Sequence, residues 1–300
     1  MTTLRERDPF DARLARIAPA PLEEFNDAGV LTAADIQVAR RLGALAGEAE
    51  PAALLALALA VRAPRLGHVL VDLTTIRATV VVDTEEPVDL GVLPWPDPDS
   101  WLQVLSASPL VTRGDGDGDE LRPLRLVGSR LYLERYWREE REVASELRAR
   151  GVAAPGADPA ALEPALERLF PDPRSASQRT AAATAATRYL TVIAGGPGTG
   201  KTSTVARIVA LLFEQGPGAD GRAPLIALAA PTGKAAARLA EAVHEQAREM
   251  AVDDEVREQL FALDASTLHR LLGVKPRSRT RFRHDRRSRL PHDVVIVDEA

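Results

Sequence analysis

A chain of 300 residues, 45% hydrophobic and 27% charged with a formal net charge of −5, can bury a sizeable core and has room for two domains. It contains no cysteine, which excludes disulfides, thiolate metal sites and a cysteine nucleophile. The longest fully apolar run, residues 52–61, is about half of what a membrane-spanning helix needs, and the N-terminus lacks the apolar region of a signal peptide, so no membrane partner and a cytoplasmic location are expected.

Residues 10–62 read as helical, with Thr32 as N-cap before AADIQVARRLGALAG and Pro51 at the first turn of the apolar helix that follows. GHVLVDL, residues 67–73, comes next, and then a proline-rich bend over 87–100 leads into a short helix around Trp101. GDGDGDE, residues 114–120, lies between two apolar stretches. Its alternate aspartates resemble a calcium loop, but counted from Asp115 the sixth position is Glu120 instead of glycine and the twelfth is Leu126. It reads as a hairpin turn. A strand and a charged helix are expected over 129–151, then a linker and a helix opened by Asp158 and Pro159. The expected domains are a mainly helical one over 1–112, a hairpin, helices and linker over 113–173, and a third body over 174–300.

From residue 174 the pattern alternates strand and helix: YLTVIAG at 189–195, a helix over 200–215, LIALAAP at 225–231, a helix over 233–249, and DVVIVDE at 293–299. This predicts an α/β fold with a parallel sheet. In the first of these helices Val205, Ile208, Val209 and Leu212 share one face, and Gly216 sits where a glycine C-cap belongs. The charge changes as well. Residues 1–172 carry 19 basic and 29 acidic side chains, residues 173–300 carry 19 and 14, which fits two bodies with different partners. Eight cations face the single acid Asp285 over 275–289, a run that serves either as a solvated loop or as a phosphate contact. Of 38 basic residues only Lys201, Lys234 and Lys275 are lysine, so a lysine marks a place where a compact ammonium differs from a guanidinium.

GGPGTGKT, residues 195–202, stands between an expected strand and an expected helix. Its glycines let successive N–H groups point inward, and the helix presents its positive end to the same space. Gly195, Gly196, Pro197, Gly198, Thr199, Gly200, Lys201, Thr202 and Ser203 are therefore the candidate nucleotide cradle, with ATP and Mg²⁺ as cofactors. Lys201 would reach the β and γ phosphates and Thr202 would place its hydroxyl on Mg²⁺. Asp298 and Glu299, at the end of a hydrophobic strand, are the acids that would hold Mg²⁺ and polarise the attacking water. Lys201, Asp298 and Glu299 are thus the candidate catalytic residues, and Thr202 and Asp298 the candidate metal ligands.

Gln178, GGPGTGKT, APTGKAAARLAEAV at 230–243, ASTLHRLLG at 265–273 and VVIVDEA together resemble the consecutive N-terminal motifs of superfamily 1 DNA helicases of the RecD type. GHVLVDL and GSRLYLERYWREE, residues 128–140, are similar to the N-terminal domain of the same family, the alpha subunits of exodeoxyribonuclease V (RecBCD). The resemblance implies a RecA-like P-loop NTPase domain, preceded by a mainly helical domain that binds partners. It implies that Gln178 recognises adenine, that Pro231, Thr232, Gly233 and Lys234 lie along single-stranded DNA, and that Ser266, Thr267 and His269 contact its backbone or brace that contact. Without the family, Gln178 is an ordinary solvated glutamine, Thr267 a helix cap and His269 a half-buried histidine.

The implied activity is that of an ATP-dependent 5′ to 3′ DNA helicase subunit in a helicase-nuclease for double-strand-break repair and recombination. Its partners would be RecB-like and RecC-like subunits of a heterotrimer and single-stranded or duplex-end DNA. The family also uses a second RecA-like domain, which supplies an arginine to the γ phosphate. Because the chain stops at the strand carrying Asp298, the motor domain and its sheet are expected to be incomplete at the C-terminus, and the 300 residues alone to be inactive. Two other classes stay open: another P-loop enzyme such as a kinase or AAA-type ATPase, which does not ordinarily carry PTGKAA followed by STLHRLLG, and a non-catalytic nucleotide-binding or assembly module.

Overall fold

The computed structural model describes residues 11–82, 88–116, 122–152, 158–196, 198–216, 222–275 and 281–299. The chain divides into two compact units, Met1–Ser145 and Glu146–Ala300. Among the described residues, no helix is long and apolar enough to cross a membrane.

The first unit is built on helices α1 (Leu22–Asp27), α2 (Ala33–Ala46) and α3 (Pro51–Arg62). Thr32 starts α2 through a capping box with Asp35, and Gly47 stops it at φ 72°. Helix α3 is apolar all round and buried all round, so it runs through the centre of the core and not along its surface. β1 (Leu70–Asp72), α4 (Ile76–Thr79), α5 (Pro98–Ala107), β2 (Val111–Arg113), β3 (Leu124–Val127), β4 (Arg130–Leu133) and α6 (Glu134–Val152) follow, the last crossing the unit boundary. The strands form one sheet in the order β1-β4-β3-β2.

The expected hairpin at GDGDGDE is not there. β2 and β3, which flank it, pair in parallel, with Val111 opposite Leu124; residues 117–120 of the motif lie outside the described residues. A hairpin makes its two strands antiparallel, which β2 and β3 are not. The true hairpin comes one strand later. Val127 faces Arg130 across Gly128 and Ser129, with Gly128 at φ 62°, the positive φ that a two-residue turn needs at its first central position.

The second unit contains α7 (Pro159–Leu169), α8 (Ala176–Thr187), α9 (Lys201–Glu214), β5 (Ile226–Ala230), α10 (Gly233–Glu249), α11 (Asp254–Phe261), β6 (Ala265–Thr267), α12 (Leu268–Leu272) and β7 (Val294–Val297). Among its described residues, three strands run parallel in the order β6-β5-β7. All five residues of β5 are buried, as befits a central strand covered on both faces. Val209 and Leu211 of α9, Val243 of α10 and Leu260 of α11 complete the core around Leu228. Gly216, at φ 78°, donates its N–H to Phe213 and closes α9 as its position in the sequence implies.

One expected strand is missing. Residues 189–195 form no strand, and Val192 is 84% exposed. Only Ile193 of this stretch packs against the core. An apolar run marks a segment that can enter a sheet, but register and a free neighbouring edge decide whether it does. β7 pairs with β5, and Val295 and Val297 remain 40% and 37% exposed.

Candidate functional site

The glycine loop enters α9 directly. Gly198 and Gly200 have φ of 75° and 77°, in the region glycine adopts without strain. A side chain would also collide: a Cβ on Gly195 would lie 2.6 Å from Thr199 Oγ1, and one on Gly200 would lie 2.7 Å from Gln178 Nε2. Pro197 lies outside the described residues. Gly200 is the N-cap of α9, and no side chain caps that end, so the first-turn N–H groups and the positive end of the helix dipole are available to an anion together.

The side chains around the loop are fixed by short bonds. Lys201 Nζ donates to the carbonyls of Gly195 at 2.5 Å and Gly196 at 3.3 Å, which spans the loop. Thr199 Oγ1 donates to Gly196 O at 2.9 Å, and Gln178 Nε2 donates to Thr199 O at 3.0 Å. The hydroxyls of Ser203 and Thr204 both donate to Gly200 O, at 2.9 and 2.8 Å. Thr204, 2% exposed, was not among the sequence candidates. Its signal was a hydroxyl one turn after the last glycine of the loop, a spacing that lets it bond back to that carbonyl.

The second cluster stands at the carboxyl edge of the parallel sheet. Ala230 is opposite Thr267 and Ala229 is opposite Val297, so Pro231–Lys234 and Asp298–Glu299 leave β5 and β7 at the edge where Ser266 and Thr267 end β6. Open α/β sheets bind ligands there. Asp298 N–H extends the ladder to Ala229 O at 2.9 Å, and Glu299 turns away at φ 57°. Pro231, Thr232, Gly233 and Lys234 are exposed. Thr232 caps α10 by accepting from Ala235 N–H at 3.2 Å, and Lys234 follows in the first turn. A cation is disfavoured at that position unless a phosphate lies near it.

Thr267 caps α12, accepting from Arg270 N–H at 3.2 Å, while His269 is exposed and meets Phe282 edge-on at 5.8 Å between ring centroids. The basic run is folded where it is described. Val274 bridges Phe282, Arg283 N–H donates to Gly273 O at 2.6 Å, and Asp285 accepts from the N–H groups of Arg287 and Ser288 at 2.9 and 3.0 Å. These two backbone bonds hold the Asp285 carboxyl below the ordinary range. Arg281, Arg283, Arg286, Arg287 and Arg289 are exposed around this turn; residues 276–280 lie outside the described residues.

The candidates therefore form two groups. Gln178, the glycine loop and Lys201–Ser203 are in mutual contact or adjacent in the chain, and the acids share an edge with the 231–234 and 266–267 residues. Thr202 and Asp298 stand on separate elements, with α9 and β7 joined through the core and not through a strand before the loop. Among the described residues, no cluster of three or more His, Cys, Asp or Glu could hold a metal by itself. A hydroxyl and one carboxylate fit Mg²⁺ bound jointly with a ligand's phosphates, since this ion keeps much of its water shell.

Comparisons with known proteins agree with both units. Residues 27–132 match the N-terminal domain of RecBCD enzyme subunit RecD, and residues 178–300 match an AAA domain. The chain is 49% identical over 278 residues to RecBCD enzyme subunit RecD of Mycolicibacterium smegmatis, an alignment covering 93% of this chain and 46% of that protein. It is 49% identical over 291 residues to the subunit of the same name from Mycobacterium tuberculosis, covering 96% and 46%. The ATP-dependent RecD2 DNA helicase of Deinococcus radiodurans is 34% identical over 171 residues, covering 57% of this chain and 20% of that protein. The chain spans about half the length of the RecD subunits it matches.

Proposed function

We propose, starting from a chain that belongs to the RecD family, that it binds Mg²⁺-ATP at the glycine loop and serves a 5′ to 3′ DNA helicase subunit of a RecBCD-type helicase-nuclease. That enzyme would act in the cytoplasm on duplex ends during double-strand-break repair and recombination, together with RecB-like and RecC-like subunits. The observation carrying the proposal is the braced loop at the uncapped start of α9, with Lys201 reaching across it.

Lys201 would exchange its two carbonyl contacts for the β and γ phosphates, and the N–H groups at the start of α9 would complete the cradle. Gln178 would meet adenine with the part of its amide not used on the loop. Thr202 and Asp298 would hold Mg²⁺, which when bound neutralises phosphate charge. Glu299 would orient the attacking water and accept its proton. At the sheet edge Lys234 would place a point charge on a DNA phosphate, and Thr232, Gly233, Ser266, Thr267 and His269 would line the same strand.

The test is a duplex carrying a single-stranded tail at one end, offered to the full-length protein with its partner subunits. Unwinding from a 5′ tail that requires ATP and disappears with Lys201→Ala is the expected result. Unwinding only from a 3′ tail, or unwinding that survives Lys201→Ala with a partner motor silenced, would contradict it.

A further inference from the structure

Gln178 touches the loop itself. Its Nε2 donates to Thr199 O at 3.0 Å, and the close fit extends to the next residue, where a Cβ on Gly200 would come within 2.7 Å of the same nitrogen. On the other flank, Ser203 Oγ, Thr204 Oγ1 and Thr204 N–H converge on Gly200 O at 2.9, 2.8 and 2.9 Å. Two successive carbonyls are thus held from outside the loop. A trans peptide points its C=O and its N–H in opposite directions. Holding Thr199 O toward Gln178 turns Gly200 N–H away from it, and holding Gly200 O turns Lys201 N–H away from Ser203 and Thr204.

We infer that Gln178 is a positioning residue of the glycine loop: through Thr199 O it sets the direction of the Gly200 N–H that faces phosphate, so phosphate affinity depends on it even when no base is present. The inference rests on the nucleotide reading of the loop and goes beyond any contact between Gln178 and adenine. A glutamine amide carries two N–H donors, so the bond to Thr199 O leaves one donor and the carbonyl oxygen for a base. One side chain then joins base recognition to the shape of the phosphate cradle.

The experiment compares Mg²⁺-tripolyphosphate, which has no base, with Mg²⁺-ATP by calorimetric titration of the wild-type chain, Gln178→Ala and Gln178→Glu. Alanine is the better helix former within α8, so folding is preserved and is checked by circular dichroism. Losing one neutral hydrogen bond that orients a ligand donor should weaken tripolyphosphate by about three- to tenfold, and ATP by at least as much. Glutamate, similar in size but bringing a carboxylate against a carbonyl, should weaken tripolyphosphate in the same direction. Unchanged tripolyphosphate affinity in both variants, with or without a loss for ATP, would overturn the inference and leave Gln178 at most a reader of the base. A wild-type chain that binds neither ligand would overturn it together with the nucleotide reading, whereas binding abolished by Lys201→Ala would show that reading sound.

Discussion

Asp293 holds Arg222 through both carboxylate oxygens, at 2.9 and 3.0 Å, and accepts the N–H of Leu225 at 2.8 Å. One side chain thereby ties the start of β7 to the start of β5. The backbone bond from Leu225, then the bond from Arg222, hold the Asp293 carboxyl below the ordinary aspartate range. A group whose value is depressed on folding contributes stability above its unfolded value, about 3.9 for aspartate, and loses it as pH falls through the lower folded value. The second unit should therefore lose stability to acid below about pH 4, and Asp293→Asn should flatten that part of the profile while lowering stability at neutral pH. Thermal unfolding followed by circular dichroism from pH 7 to pH 2.5 checks both effects; identical acid limbs would remove Asp293 from the account.

In the first unit, Arg125 is fully buried against Glu134, with Nε and Nη2 each 2.9 Å from a carboxylate oxygen. Its Nη1 holds the carbonyls of Gly114 and Gly116 at 3.2 and 2.8 Å, and its guanidinium lies 4.0 Å from the centre of the Trp137 ring. Burial pushes the Glu134 carboxyl up, but hydrogen bonds and charge from Arg125 and Arg138 outweigh it and leave the group below its ordinary range. Glu134→Leu alone should cost about 3–5 kcal/mol, because it strands a buried charge, while the paired change with Arg125→Met should cost much less. All three tryptophans, Trp95, Trp101 and Trp137, belong to this unit, so fluorescence-detected denaturation reads it selectively. Equal losses for the single and the double variant would contradict the argument.

What could be read in advance follows from how local each cause is. Gly198, Gly200 and Gly216 mark positions that need positive φ, and Thr32 and Pro51 mark helix starts, so the loop and several helix ends were visible in the residues themselves. The parallel pairing of β2 with β3 was not, because partner choice depends on where distant residues come to lie. The same holds for residues 189–195, whose apolar pattern carries no register. Arg125 gave no signal either: a buried arginine looks like any other until its carboxylate partner is known. Thr204 was legible only as a hydroxyl one turn after Gly200, and the contact of Gln178 with the loop needed coordinates, since it acts on a carbonyl that every residue possesses.

Lys234 and the arginines on the 281–289 turn should meet DNA through phosphate alone. Binding to single-stranded DNA should weaken with salt, show no dependence on sequence, and lose about 0.7 in log–log salt slope for each true contact removed. Lys234→Ala tests the α10 position, and Arg283→Ala with Arg287→Ala tests the turn. If affinity and slope are unchanged in the double arginine variant, the turn is a solvated surface, and the Lys234 result then stands by itself.

Lys201 and Glu299 should separate binding from hydrolysis. Lys201 reaches two carbonyls from the first turn of α9 and is only half-buried, so Lys201→Ala should leave the fold intact while ATP turnover by the full-length protein falls by at least about a hundredfold. Lys201→Arg should not restore it, since a planar guanidinium cannot occupy the space that a compact ammonium fills between the Gly195 and Gly196 carbonyls. Glu299 stands beyond the last residue of β7, is exposed, and among the described residues has no hydrogen bond to the glycine loop. Glu299→Gln should therefore keep Mg²⁺-ATP affinity within about threefold and still remove most turnover, because an amide cannot take the proton from water. Measuring affinity and single-turnover hydrolysis on the same preparations distinguishes the two positions: turnover retained in Glu299→Gln would move the base elsewhere, and turnover retained in Lys201→Ala would detach the glycine loop from the reaction.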